Sequence, residues 1–256
     1  MLQVDPIHIL QDNYCWLIST RSTNKAIVVD PGEAASVLAT LAQKKLTLAA
    51  IFITHHHGDH IGGVKQLLEH FVVPVFGPKN ESIPVVTHAI DEQDMATPLG
   101  FPYSFKVLDI PGHTRGHIAY YADDKIFCGD TLFAGGCGRL FEGTPAQMVT
   151  SLKKITRLPA DTNIYCAHEY TASNLAFAAK VDPTNKHLLA RIENVALLRK
   201  AQLPTLPSTL ETELDTNPFV RCHTPVIKAA AEAYANRTLP TEEDVFSVIR
   251  YWKDVF

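Results

Sequence analysis

Ala49-Ala50-Ile51-Phe52-Ile53-Thr54-His55-His56-His57-Gly58-Asp59-His60 is the stretch whose reading decides what kind of chain this is. Its first five residues form an unbroken apolar run, as in a buried strand. Its last six contain a His-x-His-x-Asp-His pattern, three imidazoles and a carboxylate at the strand's end. Strand ends rarely need several polar rings, and neutral imidazole with carboxylate is a donor set for zinc, iron or manganese. The pattern offers more ligands than one ion can use.

Working outward, short β-branched runs broken by Gly, Pro and Asp extend from Tyr14 to about Ala167. Strands are expected at Cys15 to Ile18, Ala26 to Val29, Ala50 to Ile53, Val73 to Phe76, Phe105 to Ile110, Ile118 to Tyr121, Lys125 to Cys128 and Asn163 to Cys166. Val64, Leu67, Leu68 and Phe71 fall on a helical period, and a second helix is expected over Ala146 to Thr156. Metal-capable residues terminate five of the strands: Asp30, the histidine cluster, His113, Asp130 and His168. Small residues at Gly58, Gly112, Gly129 and Ala167 would permit close backbone approach there.

Paired ions in hydrolytic sites sit about 3.5 to 4 Å apart and need a bridging ligand, for which a carboxylate is suited. Asp130 is the candidate bridge. His55, His57 and His113 can form one ligand set, and Asp59, His60 and His168 the other. Such an all-His/Asp set resembles a catalytic site, since closed structural zinc sites favour Cys. Asp30 reads as a carboxylate that orients ligating imidazoles. His56 and His117 are placed outside the ligand set, and His8, His70, His88, His187 and His223 have no ligand context.

After Tyr170 strand signals almost vanish. Ser173 to Lys180, Asn185 to Gln202, Val226 to Asn236 and Thr241 to Asp254 all read as helices, with a Pro-containing loop at Leu203 to Thr209. The expected organisation is a metal-binding catalytic domain over 1–168 and a helical substrate-binding domain over 169–256. A hydrophobic content of 46% supports a large core, and a net charge of −4 disfavours a nucleic-acid surface. No apolar segment is long enough to span a membrane, and the N-terminal residues lack the pattern of a secretory leader, so a cytoplasmic location is expected. The five cysteines form no C-x-x-C pair and read as buried thiols.

Thr54-His55-x-His57-x-Asp59-His60, Pro111-Gly112-His113-Thr114, Gly129-Asp130 and His168 together resemble the metallo-β-lactamase superfamily. That resemblance implies an α/β fold, a metallo-β-lactamase-like αβ/βα sandwich, with a C-terminal all-helical domain. Asp12-Asn13-Tyr14, Gly136-Cys137-Gly138-Arg139-Leu140-Phe141-Glu142-Gly143-Thr144, His168-Glu169-Tyr170, Asn217-Pro218-Phe219-Val220-Arg221 and Arg250-x-x-Lys253 narrow it. With these the chain resembles the glyoxalase II, or hydroxyacylglutathione hydrolase, family over essentially its whole length.

The resemblance implies a binuclear-metal thioesterase that hydrolyses S-D-lactoylglutathione to D-lactate and glutathione in methylglyoxal detoxification. It implies two divalent metal ions, zinc first, with iron or manganese compatible. Metal contacts then fall on His55, His57, Asp59, His60, His113, Asp130 and His168, and glutathione contacts on Arg139, Phe141, Tyr170, Arg250 and Lys253. Phe141 stands where relatives can carry Tyr, so apolar contact is expected in place of a hydroxyl. Arg139 stands where Lys is seen, which keeps the charge and changes the hydrogen-bond geometry. Arg250 and Lys253, three apart on a helix, present one face to the two carboxylates of glutathione.

The expected reaction is metal-assisted acyl transfer to water at a site built around Asp59, Asp130 and Tyr170. Asp59 would accept the water proton and Tyr170 would donate to the oxyanion. The expected partner is the small-molecule thioester alone, with no nucleic acid and no membrane, and the protein is expected to be a monomer. Rival readings are another hydrolase of the superfamily (a β-lactamase or a tRNA-processing nuclease), a glutathione persulfide dioxygenase, or a non-catalytic metal-dependent binding module.

Overall fold

In the computed structural model, which describes residues 1–256, the chain opens with three antiparallel strands, β1 (Leu2–Ile9), β2 (Asn13–Thr20) and β3 (Lys25–Val29). Helix α1 (Ala35–Lys44) leads to β4 (Thr47–Phe52), which runs parallel to β3. After α2 (Gly58–Ile61) and α3 (Val64–His70), β5 (Val75–Pro78) and β6 (His88–Ile90) extend the same sheet in parallel. Strands β7 (Met95–Ala96), β8 (Phe105–Asp109), β9 (Ile118–Ala122) and β10 (Lys125–Gly129) form an antiparallel succession. The chain divides into two compact units, and these elements belong to the first, Met1–Asp109 with Arg115–Gly129.

The apolar run that ends in β4 is buried on both faces, and alternation along it explains why. Ile51 and Ile53 join Val37 and Leu41 of α1 and Val64 and Leu67 of α3 in one apolar cluster. Phe52 points the other way, stacked on Tyr120 of β9 with ring centroids 4.3 Å apart and edge-on to Phe105 of β8 at 5.0 Å. A strand in this position must be apolar at every residue, hence the run without polar breaks. Tyr120 satisfies its hydroxyl inside this layer by donating to the Ile53 carbonyl at 2.8 Å.

The second unit comprises Ile110–Thr114 and Asp130–Phe256. It holds the short pair β11 (Leu132–Phe133) and β12 (Gly136–Cys137), helix α4 (Pro145–Ile155) and β13 (Asn163–Cys166). Then come α5 (Thr171–Val181), α6 (Lys186–Lys200), β14 (Ser208–Thr209) antiparallel to β13, α7 (Leu210–Thr216), α8 (Pro225–Ala235) and α9 (Glu242–Asp254). Reciprocal capping boxes open α4 at Thr144 with Gln147, and α9 at Thr241 with Asp244. Fully buried Glu213 of α7 accepts from Arg191 of α6, Ser208, the Gly135 N–H and the Asn217 side-chain amide. The same amide of Asn217 donates to the Phe133 and Gly136 carbonyls, so this network pins the β11–β12 turn to the helices.

Most expected elements form within a few residues of their expected bounds. Nine were not expected, the strands β1, β6, β7, β11, β12 and β14 and the helices α1, α2 and α7. Strand β1 carries Pro6, which reads as a strand breaker but costs nothing on the edge of a sheet, where no N–H is needed. Helix α1 is short and lies among strand signals. Helix α7 follows directly on the Pro-containing loop, whose end is the strand β14. The expectation for Gly58 also fails, because a side chain there would meet nothing within 4 Å. At Gly129 it holds: φ is +48° and a Cβ would lie 2.3 Å from Thr54 Oγ1 and 2.8 Å from the His117 ring.

Two outcomes follow from this packing. Arg191→Ala leaves the Glu213 carboxylate buried without its cation and should lower the unfolding free energy by about 3 to 5 kcal/mol, measured by urea denaturation. All five cysteines are buried and free, and burial pushes the Cys166 thiol up to about 12 and that of Cys137 to about 11. A raised pKa keeps the unreactive thiol form well above neutral pH. At pH 8 the native protein should therefore consume almost no Ellman's reagent, and five equivalents once unfolded.

Candidate metal centre and substrate cleft

In the first unit the residues at the end of β4 are set by one carboxylate. Asp30, just past β3, accepts from the Thr54 N–H at 2.8 Å and from Thr54 Oγ1 at 2.7 Å. It also lies 3.0 Å from His60 Nδ1. Having given its hydrogen to Asp30, the Thr54 hydroxyl accepts from His55 Nδ1 at 3.0 Å. Both buried rings are thereby held with Nδ1 protonated and Nε2 as a lone-pair donor. His55 Nε2 faces His57 Nδ1 at 3.0 Å, and His60 Nε2 faces Asp59 Oδ2 at 3.5 Å. Asn13 of β2 donates to the same Asp59 oxygen at 2.9 Å, holding that half-buried carboxylate in place.

In the second unit His113 and His168 flank Asp130. His113 Nε2 lies 3.4 Å from Asp130 Oδ2, and His168 Nε2 lies 3.4 Å from Oδ1. One carboxylate thus offers a different oxygen to each of two imidazoles. His113 Nδ1 donates to the Arg139 carbonyl at 2.9 Å, leaving Nε2 as the electron pair. Gly138 makes the geometry possible, since a Cβ would stand 1.9 Å from the Asp130 carbonyl oxygen and 3.2 Å from His113 Nδ1. These donors fit divalent cations: imidazole nitrogens and carboxylate oxygens that face one another at 3.4 to 3.5 Å, beyond hydrogen-bond length, with the tautomers of His60 and His113 fixed from behind.

His113 and Asp130 line a cavity of ≈ 410 Å³ in this unit, whose wall also includes Arg139, Phe141, Tyr170, Arg250 and Lys253. Tyr170 lies flat on His168, with centroids 4.7 Å apart and planes at 5°. Phe141, 63% exposed, meets His113 edge-on at 5.2 Å. Arg250 is 6% exposed, so it is no solvated helix end. It donates to the Cys137 carbonyl at 2.7 Å, and its guanidinium carbon sits 4.9 Å over the Phe219 ring. Lys253 lies over Phe177 and Phe256. Burial, then the charges of Arg250 and Arg139, hold its ammonium below the ordinary lysine range.

The expected site residues therefore gather in two groups. His55, His57, Asp59 and His60 cluster in the first unit, and His113, Asp130, His168 and the five cleft residues in the second. His56 pairs with Glu81 at 2.9 Å, and His117 stacks on His55 at 4.6 Å. Sequence reasoning missed Asn13 as the partner of Asp59, and missed Ser173 and Asn174 on the cleft wall. The last two stand three and four residues after Tyr170 on one helical face, a periodicity that was available. The Asn217-to-Arg221 stretch is absorbed by the structure: Asn217 pins the turn, Phe219 underlies Arg250, and Arg221 pairs with Asp182 at 2.7 Å.

Comparison with known proteins places this geometry. Residues 10–99 match the family model of the metallo-β-lactamase superfamily, and residues 169–256 match that of the hydroxyacylglutathione hydrolase C-terminus. The chain is 46% identical to the hydroxyacylglutathione hydrolase of Nitrosomonas europaea, over 100% of this chain and 97% of that one. It is 50% identical to that of Halorhodospira halophila, with 99% of each covered, and 51% identical to that of Aeromonas salmonicida, with 100% of each covered. Among solved structures, ETHE1 from Myxococcus xanthus aligns with a TM-score of 0.68 at 23% identity over 99% of both chains, a likeness of fold. A protein crystallised in a di-iron-bound form aligns at 0.54 and 30% identity, over 64% of this chain and 92% of that one. No helix here is long and apolar enough to cross a membrane. Matched end to end by such relatives, and with the two family models in order along it, the chain belongs to the hydroxyacylglutathione hydrolase family of the metallo-β-lactamase superfamily.

Proposed function

We propose that this protein is a metal-dependent thioesterase that hydrolyses S-D-lactoylglutathione and related S-2-hydroxyacylglutathiones to the 2-hydroxy acid and glutathione. The observation that carries the reading is a single cavity in which Asp130, with an imidazole on each oxygen, shares a wall with the cations Arg139, Arg250 and Lys253. A glutathione thioester presents the matching features, a reactive carbonyl at one end and two carboxylates at the other.

In this reading His55, His57 and His113 would hold one cation, Asp59, His60 and His168 would hold a second, and Asp130 would serve both. Zinc is the first choice, with iron or manganese compatible with the same donors. Two bound cations would supply a water with its pKa lowered from 15.7 toward about 7 and a polarising charge for the carbonyl. The chain's own groups do the rest. Asp30 fixes the tautomers of His60 and, through Thr54, of His55 so that Nε2 carries the lone pair, and Asn13 holds Asp59, the candidate acceptor of the water proton. Tyr170, fixed by its stack on His168, is the candidate donor to the oxyanion. As the water oxygen bonds to the acyl carbon and the C–S bond breaks, the glutathione thiolate leaves without needing a strong general acid.

The substrate-binding part corresponds to residues 169–256 and the catalytic part to 1–168, with Arg139 and Phe141 contributed to the cleft from the catalytic part. We propose that the protein acts as a monomer, and five buried cysteines outside any disulfide fit a reducing, cytoplasmic setting.

Purified protein should consume S-D-lactoylglutathione, followed by loss of thioester absorbance. Chelation should abolish turnover and added zinc, iron or manganese should restore it. Turnover of a penicillin, an RNA precursor or glutathione persulfide in place of the thioester would overturn the reading. Asp130→Ala should lose bound metal, by elemental analysis, together with activity. Arg250→Ala should raise KM for the thioester by about tenfold or more with a smaller change in kcat, as expected where a charge-assisted contact to the substrate is removed.

A further inference from the structure

Two of the cleft's three cations are joined by an anion that the proposed function leaves without a role. Asp254 is the last residue of α9. Its Oδ1 accepts from Arg250 Nη2 at 3.0 Å and lies 3.2 Å from Arg139 Nε, so one oxygen joins the two guanidiniums. The helix does not favour a carboxylate here. An anion in the last turn opposes the helix dipole, and an Arg four residues before an acid is the weaker order for such a pair. Stability does not explain the pairing with Arg139 either. The Arg139 and Asp254 side chains are 60% and 35% exposed, and ion pairs at such exposure contribute about 0 to 1 kcal/mol. What the contact does fix is direction. Arg250 is held on three sides, by the Cys137 carbonyl, the Phe219 face and Asp254, while the exposed Arg139 meets the same oxygen.

Resting on the thioesterase reading, we propose that Asp254 is a positioning residue for substrate: it couples Arg139 to Arg250 and aims both guanidiniums at the carboxylates of the glutathione moiety. The coupling lowers the net positive charge of the cleft and raises its order. The two effects push KM in opposite directions, which makes the role testable. If orientation governs binding, loss of Asp254 weakens binding even though the cleft becomes more positive. If charge alone governs, loss of Asp254 tightens it.

The metal-loaded enzyme and its Asp254→Ala, Asp254→Asn and Arg250→Ala variants are compared on S-D-lactoylglutathione and on the same thioester with both glutathione carboxylates esterified. Asp254→Ala should raise KM for the free acid by about tenfold, the scale of one charge-assisted contact, with kcat within about twofold and the thermal midpoint close to wild type. Asp254→Asn keeps an oxygen acceptor, so its KM should lie between wild type and Asp254→Ala. On the esterified substrate the difference between Asp254→Ala and wild type should shrink below about twofold. An Asp254→Ala KM that is unchanged or lowered, an equal rise on the esterified substrate, or an Asp254→Asn KM at or above that of Asp254→Ala overturns the proposal. If Asp254→Ala does not fold, Asp254→Asn against wild type on the two substrates decides alone. Wild-type enzyme that turns over no glutathione thioester removes the functional reading itself. A wild-type KM sensitive to Arg250→Ala but not to Asp254→Ala removes only the positioning role.

Discussion

The Asp30 carboxylate, 3% exposed, is the constraint on which the histidine cluster of the first unit depends. Its backbone stands at φ +53°, a left-handed conformation that Asp tolerates better than most residues. From there its oxygens reach Thr54 twice and His60 once. Through the Thr54 hydroxyl it also governs His55. A single buried charge thereby decides which nitrogen of two different rings carries the proton. It can do so only because β3 and β4 are parallel neighbours, so their C-terminal ends lie side by side: the Asp30 N–H donates to the Phe52 carbonyl at 2.9 Å. The parallel pairing in turn requires the α1 crossover and the apolar run of β4. The apolar run of β4 and the histidine cluster that follows it are therefore consequences of one arrangement.

Much of this was legible in the sequence because the chemistry is concentrated at strand ends. A buried strand reads as an apolar run, a ligand reads as a polar residue directly after it, and five such junctions agree. His55, His57, Asp59 and His60 declare themselves by spacing alone. His113, Asp130 and His168 are legible only as strand terminators, since their association depends on the loop contacts around Gly138 and the Arg139 carbonyl, which have no periodic signal. The cleft was less legible still. Arg250 and Lys253 read equally well as a solvated helix end, and what distinguishes them is burial against Cys137, Phe219 and Phe177, residues far away in the chain. Likewise Asn217 and Glu213 look like ordinary polar helix residues, although they fix the β11–β12 turn. Contacts made through backbone carbonyls are invisible to any pattern of residue types.

The second unit solves a separate problem, how to keep several cations in one cavity without a ligand. Taking Arg250 out of water is costly, and the cost is offset by three different partners: a carbonyl dipole, an aromatic face and a carboxylate. None of these neutralises Lys253, which is left among aromatic rings with two guanidiniums nearby and is depressed below the ordinary lysine range as a result. A group in that position is destabilised in its charged form by burial and by like charge, and an incoming carboxylate relieves both. Binding of an anionic tail and restoration of the Lys253 charge are therefore thermodynamically linked. Because unliganded Lys253 has a lowered pKa, raising the pH takes its proton off before that of an ordinary lysine. Affinity for the two carboxylates of the product glutathione should fall with it, at lower pH than an unperturbed lysine would allow, whereas the guanidiniums stay charged throughout and set a floor beneath that loss.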